Sequence, residues 1–396
     1  MTIKLSERIN KMAESETIAM SRKSRELTSK GYDVINLSLG EPDFFTPEEI
    51  KTAAKDAIDE NFSFYTAVNG YQELRSAISK KLKRDNQLDY SPDDIVVSTG
   101  AKQSLMNAVL CLVDPGDEVI IPVPFWVSYV QMVTLAEGKP HFLETGIAQD
   151  FKITPDQLEA AITEHTKLFL FSSPCNPSGS LYSKKELEAL ANVFKKYPHV
   201  YIISDEIYEL INFSGNHESI AQFSDIKDRV IVINGVSKGF AMTGWRLGYM
   251  AAHPALAKAA TKLQGQFTSA TSSITQKAAE KAMEIKPSTE MLNKFRERRD
   301  LILDLIREIP GVKTNVPHGA FYIFPEVSYY FGKSDGKNVI KNVGDLCMYL
   351  LNNALVAVVP GNAFGTPGCV RISYATSNDL IIEAMKRIKN ALELLK

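Results

Sequence analysis

The sequence predicts an α/β protein: an open, mostly parallel central sheet with helices on both faces, followed by a smaller α+β unit. Three observations carry that prediction. Five short runs, at 95–98, 118–121, 167–171, 200–203 and 230–233, are almost continuously apolar and rich in β-branched or aromatic residues, the composition of strands buried on both faces. Helical segments lie between them, and strand alternating with helix is the pattern of a parallel sheet. After Thr275 that alternation stops, and helices with a few short strands take over.

In chain order, residues 1–45 mix helical and extended signals and are expected to pack with the smaller unit. Residues 46–285 form the large α/β domain and 286–396 the small one. A helix from Gln103 to Leu112 follows the first strand. Another runs from Ser183 to Tyr197, because Ser183 with Glu186 three residues on is a capping box. Past Thr275 one long charged helix is expected to reach about Ile309, where Pro310-Gly311 stops it. A strand at Ala320–Phe324, a helix near Val343 to Asn352, strands at Ala357–Pro360 and Cys369–Tyr374, and a terminal helix complete the chain.

Composition narrows the function. A chain of 396 residues has room for two domains. Its 45 basic and 47 acidic residues leave a charge of -2, so no dominant basic face is expected for nucleic acid or a membrane surface. Cys111, Cys175, Cys347 and Cys369 form no CxxC pair and accompany no His cluster; reduced thiols are expected, with neither a disulfide framework nor a metal site. The first residues are polar and charged rather than leader-like, and no apolar run reaches the ~18 residues of a membrane span. A cytoplasmic enzyme is expected. Neither a P-loop nor a GxGxxG fingerprint occurs, which counts against nucleotides and NAD.

In an open α/β sheet, ligands bind beyond the carboxyl ends of the strands. Five such ends carry unusual residues. Gly100 and Ala101 stand where a tight turn enters a helix and offers backbone N–H groups to an anion. Trp126 follows the second strand. Asn176 sits in Ser172-Ser173-Pro174-Cys175-Asn176-Pro177, a proline-punctuated turn suited to cis bonds. Asp205 ends an apolar strand and therefore needs a cation or a donor, with Tyr208 three residues on. Lys238 follows a buried strand among glycines, where desolvation makes an amine usable for Schiff-base chemistry, and Arg246 lies in the glycine-rich loop beyond it, able to fork onto a phosphate. Each feature alone suits an ordinary turn, core residue or surface charge. Together they match what pyridoxal phosphate (PLP) demands: groups for its phosphate, ring face, phenolate, ring nitrogen and aldehyde.

The segments Leu39-Gly40-Glu41-Pro42-Asp43, Ser173–Gly179, Ser204–Tyr208, Ser237-Lys238 through Tyr249, and Val370–Tyr374 together resemble the class I aminotransferases of PLP fold type I, most nearly the bacterial aspartate aminotransferase branch. The resemblance runs nearly end to end. It implies that Lys238 carries the coenzyme and shuttles a proton, that Asp205 pairs with the ring nitrogen, and that Asn176 and Tyr208 bind the ring oxygen. It further implies that Trp126 stacks on the ring and that Gly100, Ala101 and Arg246 hold the phosphate. Tyr65 is expected to reach the phosphate of the partner subunit, making a homodimer with active sites at the subunit interface. Arg371 and Gly40 are implied to hold the substrate α-carboxylate, and Lys102, Ser15 and Thr17 a distal carboxylate. Two positions depart from the family pattern: Cys175 precedes Asn176, and Gly235 replaces a frequent Ser, removing one hydroxyl from the phosphate site.

The expected reaction moves an amino group between L-aspartate, or a related amino acid, and 2-oxoglutarate by a ping-pong course. A prephenate or aromatic aminotransferase, a carbon–sulfur β-lyase on the same fold and a non-catalytic PLP-binding protein are the alternatives.

Overall fold

The computed structural model describes residues 3–14 and 16–396. Its main sheet has seven strands in the spatial order Ile95–Ser98, Gly248–Ala251, Val230–Gly235, Tyr201–Asp205, Thr166–Ser172, Glu118–Pro122, Lys139–Leu143. All run the same way except Gly248–Ala251, which is antiparallel to both neighbours. Each apolar run divides its side chains between two cores. Phe169 and Phe171 join Ile202, Val230 and Val232 on one face, while Leu168 and Leu170 join Ile203, Ile231 and Ile233 on the other. That two-sided burial is why these strands read as continuous apolar stretches.

Two strands of the main sheet escaped the sequence reading. Lys139–Leu143 is an edge strand with exposed and half-buried positions, and its lysine, proline and histidine suit an edge that resists further pairing. Gly248–Ala251 is fully buried but contains no β-branched residue, so propensity does not mark it.

The helices between strands begin and end close to where their signals lie. The first covers Ala101–Leu112. The second covers Lys184–Phe194, with Ser183 Oγ accepting from the Glu186 N–H and Glu186 Oε2 accepting from the Ser183 N–H.

The expected single helix beyond Thr275 is two helices, Ser273–Glu284 and Thr289–Arg307. Pro287 disfavours helix at the residue before it, and Ser288 caps the new helix by accepting from the Met291 N–H at 3.2 Å. The expected strand at Ala357–Pro360 is likewise divided. Val356–Ala357 pairs in parallel with Ile35–Asn36, whereas Val359–Pro360 lies at the edge of a three-stranded antiparallel sheet with Val370–Ser373 and Tyr322–Ile323. The helix near Val343 spans Val343–Tyr349 and widens into a further turn at Leu350–Ala354. The C-terminal helix covers Asn378–Glu393.

A separate core unites these C-terminal elements with the start of the chain. Met20, Ile35 and Leu37 pack in one cluster with Phe295, Ile302, Phe321, Ile372 and Ile388. A charge pair between a buried arginine and a partly exposed aspartate reinforces the joint. Arg298 grips Asp43 with two bonds, Nη1–Oδ1 at 2.6 Å and Nη2–Oδ2 at 2.8 Å, and its guanidinium lies 5.2 Å from the Phe44 ring and 5.7 Å from the Phe295 ring. No helix among the described residues is long and apolar enough to cross a membrane.

Truncating Asp43 leaves the buried Arg298 guanidinium without its carboxylate. Because Asp43 itself is partly exposed, Asp43→Ala is expected to cost about 2 kcal/mol of stability, seen as a lower urea midpoint. An unchanged midpoint would show that the pair contributes nothing to holding the N-terminal segment.

Candidate active site

The carboxyl ends of the parallel strands open onto one cavity of about 550 Å³. Lys238, Asp205, Tyr208, Asn176 and Trp126 all line it, and they come from four strand ends: Trp126, Asn176 and Lys238 each lie a few residues past one, while Asp205 ends the strand that Tyr208 follows. The reversed strand Gly248–Ala251 starts, rather than ends, at this edge, which is why Arg246 just before it also lines the cavity. Ala101 and Lys102 enter from the helix Ala101–Leu112, and Gly40, Thr17 and Arg371 enter from the other unit.

Lys238 Nζ donates to the carbonyl of Gly40, a contact spanning the two units. Burial pulls its amine down to about 8, helped by the positive charges of Arg371 and Arg246 and opposed by Glu41 and Asp205. Asp205 is buried at its strand end. The required partner is a phenol: Tyr129 donates to Oδ2 at 2.7 Å, and the Ile207 N–H donates to Oδ1 at 3.2 Å. No cation pairs with Asp205 among the described residues. Burial consequently pushes its carboxyl up to about 6, the two donors opposing and the neighbouring Glu206 adding to the rise. Nothing in its local sequence marks Tyr129, which sits inside an otherwise ordinary helix, Ser128–Leu135.

Arg371 is 2% exposed. Its Nη1 donates to Asn176 Oδ1 at 3.0 Å and its Nη2 to the Ser38 carbonyl at 2.7 Å, while its buried Nε–H meets no partner among the described residues. The guanidinium stacks on Tyr322, 4.5 Å from the ring centre. Tyr322, also absent from the sequence reading, shares a hydrogen bond of 2.8 Å with the Tyr208 hydroxyl. Burial holds the Tyr208 phenol far above its ordinary range, with Tyr322 adding to the shift.

At the opposite end the helix Ala101–Leu112 points its first turn into the cavity, and its leading N–H groups have no acceptor within the helix. Gly100 precedes it at φ +86°, and a side chain there would strike the Arg246 guanidinium. Arg246 Nη1 bonds the Thr243 carbonyl at 2.7 Å. The Lys102 ammonium lies 4.8 Å over the Trp126 ring, and its pKa is lowered by burial and by Arg246.

Ser15 is outside the described residues, and two other expected residues do not line the cavity. Gly100 precedes Ala101 at its edge, with its N–H bonded to the Ser98 carbonyl at 2.8 Å. Tyr65 is 97% exposed and borders a separate hollow with Phe64, Thr66 and the segment 270–273; within one chain it does not meet the cavity. Of the two departures, Cys175 is buried with Sγ 3.6 Å from the Pro124 carbonyl. Gly235 leaves no space for a serine, because a Cβ there would lie 2.8 Å from both Gly248 Cα and the Leu247 carbonyl. Ser237 does line the cavity. The peptide bonds before Pro174 and Pro177 are both cis.

The sequence matches the family described as aminotransferase class I and II over residues 32–388. It is 46% identical over 396 residues to an aspartate/prephenate aminotransferase from Nitrosomonas europaea, covering 98% of this chain and all of that one. A bifunctional aspartate aminotransferase and glutamate/aspartate-prephenate aminotransferase from Petunia hybrida is 47% identical, over the whole of this chain and 84% of its own length. Among solved structures, the aspartate aminotransferase from Rhizobium meliloti superposes with a TM-score of 0.96 at 42% identity over the full length of both chains. The Thermus thermophilus aspartate aminotransferase, solved with maleate, superposes at 0.91 and 36% identity over 98% of this chain and all of its own. With a family match across most of its length and relatives this similar end to end, the chain belongs to the class I and II aminotransferases.

Proposed function

We propose that this aminotransferase is a cytoplasmic, PLP-dependent homodimer that takes the amino group of L-aspartate and delivers it, in a second half-reaction, to 2-oxoglutarate. The observation that carries the reading is the Lys238 amine, drawn down to about 8 in the same cavity as a carboxylate with no cation beside it and a guanidinium with a free N–H.

The donor set fits the coenzyme. Asp205, titrating near 6, gains its missing cation from a protonated ring nitrogen, and that pairing keeps it ionised. Asn176 spends its Oδ1 on Arg371, which leaves its Nδ2 for the ring oxygen beside the Tyr208 hydroxyl. Trp126 supplies a face for the ring. The first-turn N–H of Ala101, with Arg246, would hold the phosphate, since the Gly100 N–H is bonded to the Ser98 carbonyl at 2.8 Å, and Tyr65 would reach the phosphate of the partner subunit. When bound, PLP contributes an aldehyde that condenses with amines and a protonated ring that withdraws electrons from the attached amino acid.

The chain's own groups do the rest. Lys238 Nζ would hold the coenzyme through its amine and, once free, would take the substrate α-proton as general base. Arg371 turns its unsatisfied edge to the α-carboxylate, with Gly40 alongside. Lys102 and Thr17, with Ser15, hold the distal carboxylate. In this reading residues 1–45 and 286–396 close over the large domain, residues 46–285, and exclude water. The names of the Nitrosomonas and Petunia relatives support prephenate as a second substrate, and maleate, with which the Thermus relative was solved, is a four-carbon dicarboxylate like the predicted donor.

Three measurements bear on this reading. Borohydride treatment of the holoprotein is expected to fix the coenzyme on the peptide bearing Lys238, and Lys238→Ala to abolish that fixation and lower transamination more than about a thousandfold; fixation on a different lysine would refute the assignment. The condensation rate of apoprotein with PLP follows the unprotonated amine. With a pKa near 8, that rate is expected to rise about tenfold per unit up to pH 8 and to level above it, whereas a continued rise to pH 10 would contradict the lowered amine. Finally, Lys102→Ala is expected to raise KM for aspartate about tenfold, with little effect on an amino acid that has no second carboxylate. Equal losses for both would remove Lys102 from the substrate site.

A further inference from the structure

The segment 205–209 has two sides. Asp205 and Tyr208 face the cavity. Glu206 and Glu209 face the protein interior and are 1% and 6% exposed. Glu206 Oε1 accepts from Ser204 Oγ at 2.9 Å and Ser219 Oγ at 2.6 Å, and Oε2 lies 3.0 Å from His217 Nε2. Glu209 takes the Lys81 ammonium on Oε1 and the Asn86 amide on Oε2, the latter at 2.7 Å. Lys81 also donates to Asn86 Oδ1 at 2.8 Å. Ligand atoms of Glu206, Glu209 and His217 all fall within 4.8 Å of one another. Their chemistry would suit a metal ion, but the Lys81 ammonium already lies on Glu209. Two carboxylates and two potential cations instead form a quartet that is electrically neutral when His217 is charged.

We propose that His217 is cationic and acts as a positioning residue for transamination: with Lys81 it neutralises Glu206 and Glu209 behind the strand end, so that Asp205 keeps its charge and Tyr208 its place. The inference rests on Asp205 serving the coenzyme as described above.

The electrostatics support it. Burial opposes a charge on His217, yet Glu206 and Glu209 outweigh burial and the Lys81 charge, and the pKa is raised. Among the described residues His217 Nδ1 has no hydrogen-bond partner, so the glutamates decide the charge. Other titratable groups on this side include Tyr90, whose phenol is pushed up by burial and by Glu206, Asp94 and Asp228, Tyr249, pushed up by burial and by Glu209, Glu206 and Asp85, Lys227, 4.7 Å over the Tyr90 ring, and the Arg84–Asp85 pair nearer the surface. Glu206 already raises the Asp205 pKa. A Glu206 stripped of its imidazolium would press harder on that neighbour, since charges interact strongly where water is excluded.

The test has two arms. Side-chain nitrogen NMR of histidine-labelled protein is expected to show one of the six imidazoles still doubly protonated at pH 8, when exposed histidines are neutral; six neutral rings overturn the proposal. In holoprotein, His217→Gln is expected to weaken coenzyme binding and lower kcat about tenfold each, with KM for aspartate little changed. His217→Gln combined with Glu206→Gln removes one charge of each sign and is expected to recover most of the loss. A single variant with wild-type values, or a double variant no better than the single, overturns the proposal. If instead wild-type protein bound no coenzyme at Lys238, the functional reading would fall while the imidazolium signal stayed unaffected.

Discussion

The structure depends on keeping an amine and a carboxylate out of water at the ends of neighbouring strands. Neither group would be tolerated there by chance, because an unpaired buried charge is costly. The two apolar cores on either side of the sheet hold the strand ends rigid, and the cost appears as a lysine near 8 and an aspartic acid near 6. Displaced pKa values of this kind at a cavity are what acid–base chemistry near neutral pH requires. Close backbone packing serves the same end: Gly235 lies against Gly248, which in turn lies against Ala101, so the strand leading to Lys238, the strand that follows Arg246 and the helix Ala101–Leu112 meet without intervening side chains.

Much of this site is legible along the chain because strand ends recur at a regular place in the fold. Lys238, Asp205, Asn176 and Trp126 each follow a buried apolar run, and the fold brings such positions to one edge. What escapes is whatever depends on contacts distant in sequence. Tyr129 and Tyr322 look like ordinary aromatic residues until folding sets them against Asp205 and Tyr208, 76 and 114 residues away. The Gly40 carbonyl meets Lys238 across 198 residues. The reversed strand that delivers Arg246 lacks the branched residues that would mark it. The helix break is a different kind of loss: Pro287 and Ser288 are visible stop and start signals, masked by the charged helical pattern on either side.

The strand end also divides labour between neighbouring residues. In an extended or tightly turning segment adjacent side chains point to opposite sides, so Asp205 and Glu206 belong to different environments although they are covalent neighbours. Ionic groups held inside a protein set geometry more reliably than they add stability. The quartet of Lys81, Glu209, His217 and Glu206 fits that role, since it links the helix Gln72–Asn86 to the backbone that carries Asp205 and Tyr208.

Charge balance in the cavity connects its architecture to its choice of ligand. Lys238, Arg246, Arg371 and Lys102 face only Asp205 and Glu41 among the acidic groups lining it, and Glu41 is already bonded to Thr243 Oγ1 at 3.1 Å. The excess is positive, so the cavity attracts anions and concentrates them. The cations are also spaced rather than clustered: Arg371 stands against Tyr322, Arg246 beside the helix N-terminus, and Lys102 over Trp126. On the proposed function, a phosphate-bearing coenzyme would satisfy one end, and a dicarboxylic amino acid spanning Arg371 and Lys102 would satisfy the others. A substrate with a single carboxylate would then leave Lys102 uncompensated against the aromatic wall, so that discrimination by charge at that position would follow from the missing partner rather than from a steric barrier.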